Sequence, residues 1–408
     1  MFATWLLAVA GLSLVVAFAA RRLDEIPVSA PLAAVVLGAV LGPEGLTLLV
    51  APDHAVLLES TRILLAMTLM TVALRHPLDV MRRRSGGVAL LVLVVMPVMM
   101  LVAAGVAAVL LPLGAGLCLL LGACLVPTDP VLASGVVEGH RAEDDVPDRL
   151  RQLLGLESAV NDGLALVLVV VTAAVAGVVS WDVVLTRGIV GVLGALVVGA
   201  ALGWVAARAL RALVRHEYGD DSTVPLLTLV FSLFVLGLAQ LLGLDGILAI
   251  FAAGVVYSAG IGEGERVAQH RVEEGVDRLL ALPVFALFGV MLPVDAWVDR
   301  PVVAVLALGV LVLRRLPVVY LLRRRLGIDR VGATWLGWFG PMGVASIFYL
   351  LEAEEFGGPE DLWVHGSAVV AASVLVHGTT TGVGRRLLRE RTGDRDVRDS
   401  TTTGARGS

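Results

Sequence analysis

The chain has 408 residues, 58% of them hydrophobic and 16% charged, with a formal net charge of −5. No basic tract resembles a nucleic-acid surface, because the arginine-rich stretches abut apolar runs; the two cysteines, Cys118 and Cys124, share one predicted helix and exclude a disulfide framework or a cysteine metal site. Apolar runs of about 20 residues, the length a helix needs to cross roughly 30 Å of hydrocarbon, recur along the chain, exclude a soluble globular domain and predict an all-α polytopic membrane protein.

In chain order the predicted spans are 4–20, 28–48, 57–74, 87–111, 114–137, 150–178, 188–210, 224–242, 245–260, 278–294, 302–322, 331–351 and 363–384, about thirteen transmembrane helices, although the short segments 245–260 and 278–294 also admit twelve. The first run has no basic residue before it and Arg21-Arg22 after it, so it reads as a retained span and not as a signal peptide. Basic residues collect at cytoplasmic span ends. Here they follow the odd spans, at Arg21-Arg22, Arg82-Arg83-Arg84, Arg141 with Arg149 and Arg151, Arg211 with Arg215, Arg266 with Arg271, and Arg323-Arg324-Arg325, while the other loops are short or acidic. This alternation predicts an N-terminus outside and a cytoplasmic C-terminus. Apolar side chains nearly vanish past residue 385, so 386–408 reads as a disordered cytoplasmic tail.

The span over 114–137 carries Pro127, Thr128, Asp129 and Pro130 past its midpoint. Each proline lacks an N–H, so the carbonyls of Ala123 and Val126, four residues back, lose their helical partners. Broken backbone at membrane depth is tolerated only where it is buried in protein or lines a wet cavity. The span over 331–351 carries a second interruption, Gly340-Pro341-Met342-Gly343. Paired interruptions in the two halves of a chain point to a midplane transport site. With residues of about 1–180 and 222–385 as repeats around a linking helix near 188–210, each break falls in the fifth helix of its half, and an inverted repeat follows.

Glu157, Ser158, Asn161 and Asp162 lie within the span over 150–178. A charge at the bilayer centre costs about 2.5–3.5 kcal/mol, so an intramembrane carboxylate marks a site with a partner. At about 100° per residue, Ser158 and Asp162 share one face and Glu157 and Asn161 another, which leaves the two acids about 140° apart. One acid can meet a substrate while the other is neutralised by a fixed cation, which Arg314 or Arg315 in the span over 302–322 can supply. Thr128, Ser158, Asn161, Asp162 and the freed carbonyls form an all-oxygen set suited to a small hard cation and not to zinc or copper. A carboxylate that binds either a proton or a cation there is the minimal machinery of exchange.

Pro127-Thr128-Asp129-Pro130, Glu157-Ser158 followed by Asn161-Asp162-Gly163, the run Gly246 to Gly254, Phe285 to Gly289, Arg315 ahead of Val319-Tyr320, and Trp338-Phe339-Gly340-Pro341 with Gly343 to Ser346 form an ordered series along residues 1–385. The series resembles that of bacterial sodium/proton exchangers of the monovalent cation/proton antiporter family, in the NhaP-like branch with Asn beside Asp. The resemblance implies the sodium/proton antiporter fold for a transmembrane domain over 1–385. It also implies a homodimer in which a six-helix core carries the ion past a dimerisation domain, in a multi-pass protein of the cell inner (cytoplasmic) membrane that serves pH homeostasis.

By the same resemblance Asp162 binds cation and proton in competition, Thr128 and Ser158 are ion ligands, Glu157 and Arg315 form a structural ion pair, and Asp129 balances charge at the crossed breaks. Pro127, Pro130, Gly340, Pro341 and Gly343 are the helix-break residues. Asn161, counted with the ion-binding residues, implies electroneutral exchange of one monovalent cation per proton. The implied protein is a secondary active transporter and not an enzyme, with no catalytic residue and no cofactor. Its partners are protons, monovalent cations, the lipid bilayer and a second copy of itself, and no nucleic acid.

Two positions depart from the family pattern. Met342 stands where many relatives carry Arg, so no gating or pH-response role carries over to it; Thr71 is all that the end of the span over 57–74 offers where some relatives place an acid, which leaves potassium or lithium open beside sodium. A cation channel could also use an acidic midplane site, but paired breaks favour a transporter. An intramembrane hydrolase lacks a Gly-x-Ser-x-Gly elbow. His365 and His377 read as packing residues and Asp245 as a helix cap.

Overall fold

A computed structural model gives the fold for residues 11, 29–76, 78–137, 139–215, 223–260 and 280–404. The predicted span 4–20 lies outside the described residues, Gly11 apart, as does the loop with Arg266 and Arg271. Regular structure among the described residues is helical; six helices are long and apolar enough to cross a membrane, with shorter apolar helices of 10–17 residues among them.

Caps and prolines place the helix ends. Helix α1 (Ala30–Leu41) begins at Ser29, whose hydroxyl accepts from Leu32 N at 3.4 Å, with Pro31 in the first turn, where no N–H is needed. Helix α2 (His54–Arg75) is capped by Asp53, which accepts from Ala55 N at 3.2 Å. Helix α3 (Leu78–Leu110) starts earlier than the predicted 87 and absorbs Pro97 by widening. Over Leu91–Val95 it is π-helical, with Met96 N bonded to the Leu91 carbonyl five residues back.

The predicted span 114–137 is two helices, α4 (Ala115–Cys124) and α5 (Pro130–Val137). Helices α6 (Asp148–Val175), α7 (Trp181–Ala212), α8 (Thr223–Leu241), α9 (Gly246–Ser258) and α10 (Leu280–Val290) follow. The span predicted as unbroken over 302–322 is α11 (Val302–Leu326), and it carries a third break: Arg314 and Arg315 separate Val302–Leu313 from Leu316–Leu326. Pro317 causes it by denying the Leu313 carbonyl a helical partner. The span 331–351 is again two helices, α12 (Arg330–Trp338) and α13 (Val344–Glu355). The last helix, α14 (Asp361–Gly404), runs on through the stretch whose composition predicts a disordered tail, since extending a helix needs no new nucleus.

Small residues set the helix approaches. Gly199 and Gly203 of α7 rest on the Ala249 and Ala253 carbonyls of α9, and Gly38 of α1 rests on Ala286 of α10; a Cβ at any of them would meet backbone. Helices α2, α7, α8 and α9 pack as one group, whereas α4, α5, α6, α12, α13 and α14 gather round the two breaks, with α2 also lying along α13.

Candidate ion-binding site at the crossed helix breaks

The two breaks touch. Asp129 N, which would serve a helical carbonyl in an unbroken span, donates to the Pro341 carbonyl at 2.8 Å. The Ala123 carbonyl, freed by Pro127, is taken up in a tighter turn by Val126 N at 3.3 Å. Four helix ends therefore converge: the C-termini of α4 and α12 and the N-termini of α5 and α13.

One acid and one base serve all four ends. The Asp129 Oδ1 accepts from Val131 N at 2.7 Å and Leu132 N at 3.2 Å in the first turn of α5, while Oδ2 accepts from Val344 N at the start of α13. Gly343 lies so close to this carboxylate that a Cβ there would collide with it. The Arg314 guanidinium donates to the Leu125 carbonyl, to the Val126 carbonyl at 3.2 Å and to the Gly340 carbonyl at 2.6 Å. A helix end carries roughly half an elementary charge, positive at the N-terminus and negative at the C-terminus. Two N-termini against one carboxylate and two C-termini against one guanidinium leave the crossing close to neutral. Both oxygens of Asp129 are thus engaged by backbone N–H groups at helix N-termini.

The second pair lies one side chain away. Arg315 Nη1 and Nη2 donate to Glu157 Oε1 and Oε2 at 2.7 and 2.9 Å, and Arg315 Nε donates to the Leu336 carbonyl at 3.0 Å. Both side chains are 2% exposed, so each charge depends on the other. Asn161 joins this pair: its Nδ2 donates to Glu157 Oε1 at 3.1 Å and to Thr128 Oγ1 at 2.7 Å, and its Oδ1 accepts from Thr128 N at 3.4 Å. Thr128 Oγ1 also lies 3.0 Å from Ser158 Oγ and 3.4 Å from Glu157 Oε2. The Asn161 amide is thus engaged by Thr128 and Glu157, on the face shared with the ion pair.

Asp162 differs from every other buried acid among the described residues. It is 0% exposed, and neither carboxyl oxygen has a hydrogen-bond partner. Asp129 and Glu157 are fully bonded, and Asp245 has one bonded oxygen, which caps α9 through Ile247 N at 2.9 Å and Leu248 N at 3.0 Å. The Asp162 backbone carbonyl accepts from the Tyr349 hydroxyl of α13. Buried polar groups are nearly always bonded, and an ionised carboxyl group held so in a protein interior requires a proton or a cation.

The structure gathers Thr128, Asp129, Glu157, Ser158, Asn161, Asp162 and Arg315 at one crossing. Sequence reasoning left Arg314 as an alternative partner for Glu157 and missed its place at the helix ends; a second arginine beside Arg315, just ahead of Pro317, was the available signal. Tyr349 gave no signal beyond an aromatic in an apolar run. The two departures are both buried: Thr71 in α2, and Met342 in the second break, where its N–H donates to Ser373 Oγ at 2.8 Å. His377 is engaged at both ring nitrogens, Nδ1 with the Ser373 carbonyl and Nε2 with the Trp338 carbonyl, each at 2.9 Å.

The sequence matches the family model for the transmembrane region of sodium/hydrogen exchangers over residues 9–383. The chain belongs to this family. It is similar to Na(+)/H(+) antiporter 2 of Zygosaccharomyces rouxii, 28% identical over 344 residues that cover 80% of the chain and 42% of the yeast protein. It is also similar to Na(+)/H(+) antiporter NhaP of Pseudomonas aeruginosa, 29% identical over 286 residues, 65% of the chain and 64% of that relative. The chain spans 32% of the length of the Na(+)/H(+) antiporter of Saccharomyces cerevisiae, and less than half the length of the first relatives it matches. The solved sodium proton antiporter MjNhaP1 of Methanocaldococcus jannaschii has the same fold, with a TM-score of 0.74 at 17% identity over 95% of this chain and 99% of that one.

Proposed function

We propose that the protein exchanges a monovalent cation, sodium first, for a proton by alternating access, with Asp162 binding the two in competition. The observation that carries this reading is the Asp162 carboxyl group, buried with no partner at either oxygen, beside a crossing that already neutralises its own charges. A cation or a proton can relieve that burial, and binding one displaces the other. Ser158 shares the face of Asp162 by helical spacing, and its hydroxyl with that of Thr128, 3.0 Å away, offers oxygen ligands. The names of the relatives support sodium and protons as the exchanged ions.

Finer features follow from the same reading. Asn161 is neutral and is bonded within the Glu157–Arg315 network, which leaves one titrating acid at the site and supports electroneutral exchange of one cation per proton. The Asn161-Asp162 pair and the likeness to NhaP support the bacterial Asn-Asp branch. Paired breaks in the fifth helix of each half support an inverted repeat, and the arginine placement supports an N-terminus outside in the cell inner membrane. A homodimer completes the reading.

The test is purified protein in liposomes holding a pH dye, with sodium, potassium or lithium added outside in turn. Cation-driven alkalinisation of the interior, greatest with sodium and indifferent to an imposed membrane potential, is the expected result. Charge carried by the cation gradient alone would overturn exchange in favour of a channel.

A further inference from the structure

Near the end of α13 a further buried carboxylate is fully paired, and its partners lie on other helices. Glu352, 5% exposed, accepts from Arg62 Nη2 of α2 at 2.9 Å and from Arg187 Nη1 of α7 at 3.4 Å. The Arg62 guanidinium also lies over the Phe348 ring, 5.4 Å from its centroid, and Arg187 lies over Phe356 at 5.6 Å. His54 Nδ1 and Glu354 Oε2, 2.8 Å apart, add a second tie between the first turn of α2 and α13. These contacts join the group of α2, α7, α8 and α9 to the broken helix that starts at the crossing.

At the other end of α2, about 20 Å away by helical rise, the groups meet through packing, with the His76 ring of α2 against Gly155 of α6. A small cavity lies there between Val72 and His76 of α2, Pro130 and Ala133 of α5, and Gly155 of α6. The arginine placement assigns the tied end to the outside and the end with the cavity to the cytoplasm. A contact made in only one of two conformations biases their ratio by its own free energy.

We infer that Glu352, Arg62 and Arg187 form the outer latch of the transport cycle. They hold α2 and α7 against α13 while the route to Asp162 faces the cytoplasm, and they part when that route opens outward. The inference rests on the exchange reading and on the sidedness drawn from arginine placement. Leu248, in the first turn of α9, packs on Gly163, the residue after Asp162, so its exposure reports on opening toward the site.

The test uses a parent protein carrying Leu248→Cys, Cys118→Ala and Cys124→Ala in sealed vesicles of known orientation, with a membrane-impermeant maleimide added to the outer face. Glu352→Gln and Arg62→Gln should each raise the labelling rate about tenfold as the outward-open population grows. The exchanged pair, Arg62→Glu with Glu352→Arg, should return the rate to within about twofold of the parent. Monodispersity in detergent checks folding, and either single variant carries the test if the other fails it. Equal rates in the parent and the folded single variants would overturn the latch, as would acceleration only when reagent is on the cytoplasmic side. Labelling requires no transport, so if the unaltered protein moves no protons on addition of sodium while the parent labels as expected, the exchange reading fails and the gating of this end stands.

Discussion

The Tyr349 hydroxyl donates to the backbone carbonyl of Asp162, so the helix whose first turn Asp129 caps is bonded directly to the turn that carries the unpartnered carboxyl group. Tyr349 is fully buried, and Cys124 Sγ, at the end of α4, donates to its backbone carbonyl at 3.3 Å.

Tyr349→Phe keeps the ring and deletes one hydrogen bond, a loss of about 1 kcal/mol. Exchange should persist, with the half-saturating cation concentration raised about fivefold and the maximum rate little changed, if the bond orients Asp162 for binding. Initial rates over a cation series check this. An unchanged half-saturating concentration would reduce Tyr349 to a packing residue.

Glu157→Ala and Arg315→Ala should each lower folded yield and thermal stability sharply, because removing one partner of a buried pair leaves a lone charge worth about 3–5 kcal/mol of destabilisation. The double variant should recover much of that loss. Losses that simply add would show that the pair, joined at 2.7 and 2.9 Å, is not energetically coupled.

Arg314→Lys should fail to replace arginine. One ammonium cannot reach the carbonyls of Leu125, Val126 and Gly340 from a single planar fork, so a C-terminus at the crossing is left without a donor. A melting temperature several degrees below that of the unaltered protein is expected, and one equal to it would remove Arg314 from its place at the helix ends.

The breaks could be read because they follow from local chemistry: Pro127 and Pro130 cannot continue a helix, and neither can Gly340-Pro341 with Gly343. The division of Glu157 and Asp162 onto separate faces was legible for a similar reason, since helical spacing fixes it. Rotations of distant helices against each other were not legible. Whether Arg314 or Arg315 meets Glu157, 158 residues away along the chain, depends on how α11 turns at its own break, and the periodicity of an apolar run does not report that turn. Asn161 shows the same limit. Its spacing did not show which side chains it meets, and the structure bonds it to Thr128 at 2.7 Å and Glu157 at 3.1 Å. The latch residues Arg62, Arg187 and Glu352 lie far apart along the chain, and only the packing of three helices brings them together.

Competition at one carboxyl group fixes the pH response. Protons displace the cation as pH falls, so the acidic limb of the exchange rate should move to lower pH by about one unit per tenfold rise in sodium. At high pH the rate falls because no proton is available for the return step. Rates measured across pH at sodium concentrations spanning two decades test this, and an acidic limb that stays fixed would place the titrating group elsewhere.

The most direct test of the role given to Asp162 is proton movement by Asp162→Asn in liposomes with an internal pH dye. The substitution preserves shape and removes the one buried carboxyl group, among the described residues, that has no partner at either oxygen. A folded, monodisperse protein with no sodium-driven proton flux is the expected result. Sodium-driven proton flux at a rate near that of the unaltered protein would contradict the assignment of exchange to this residue.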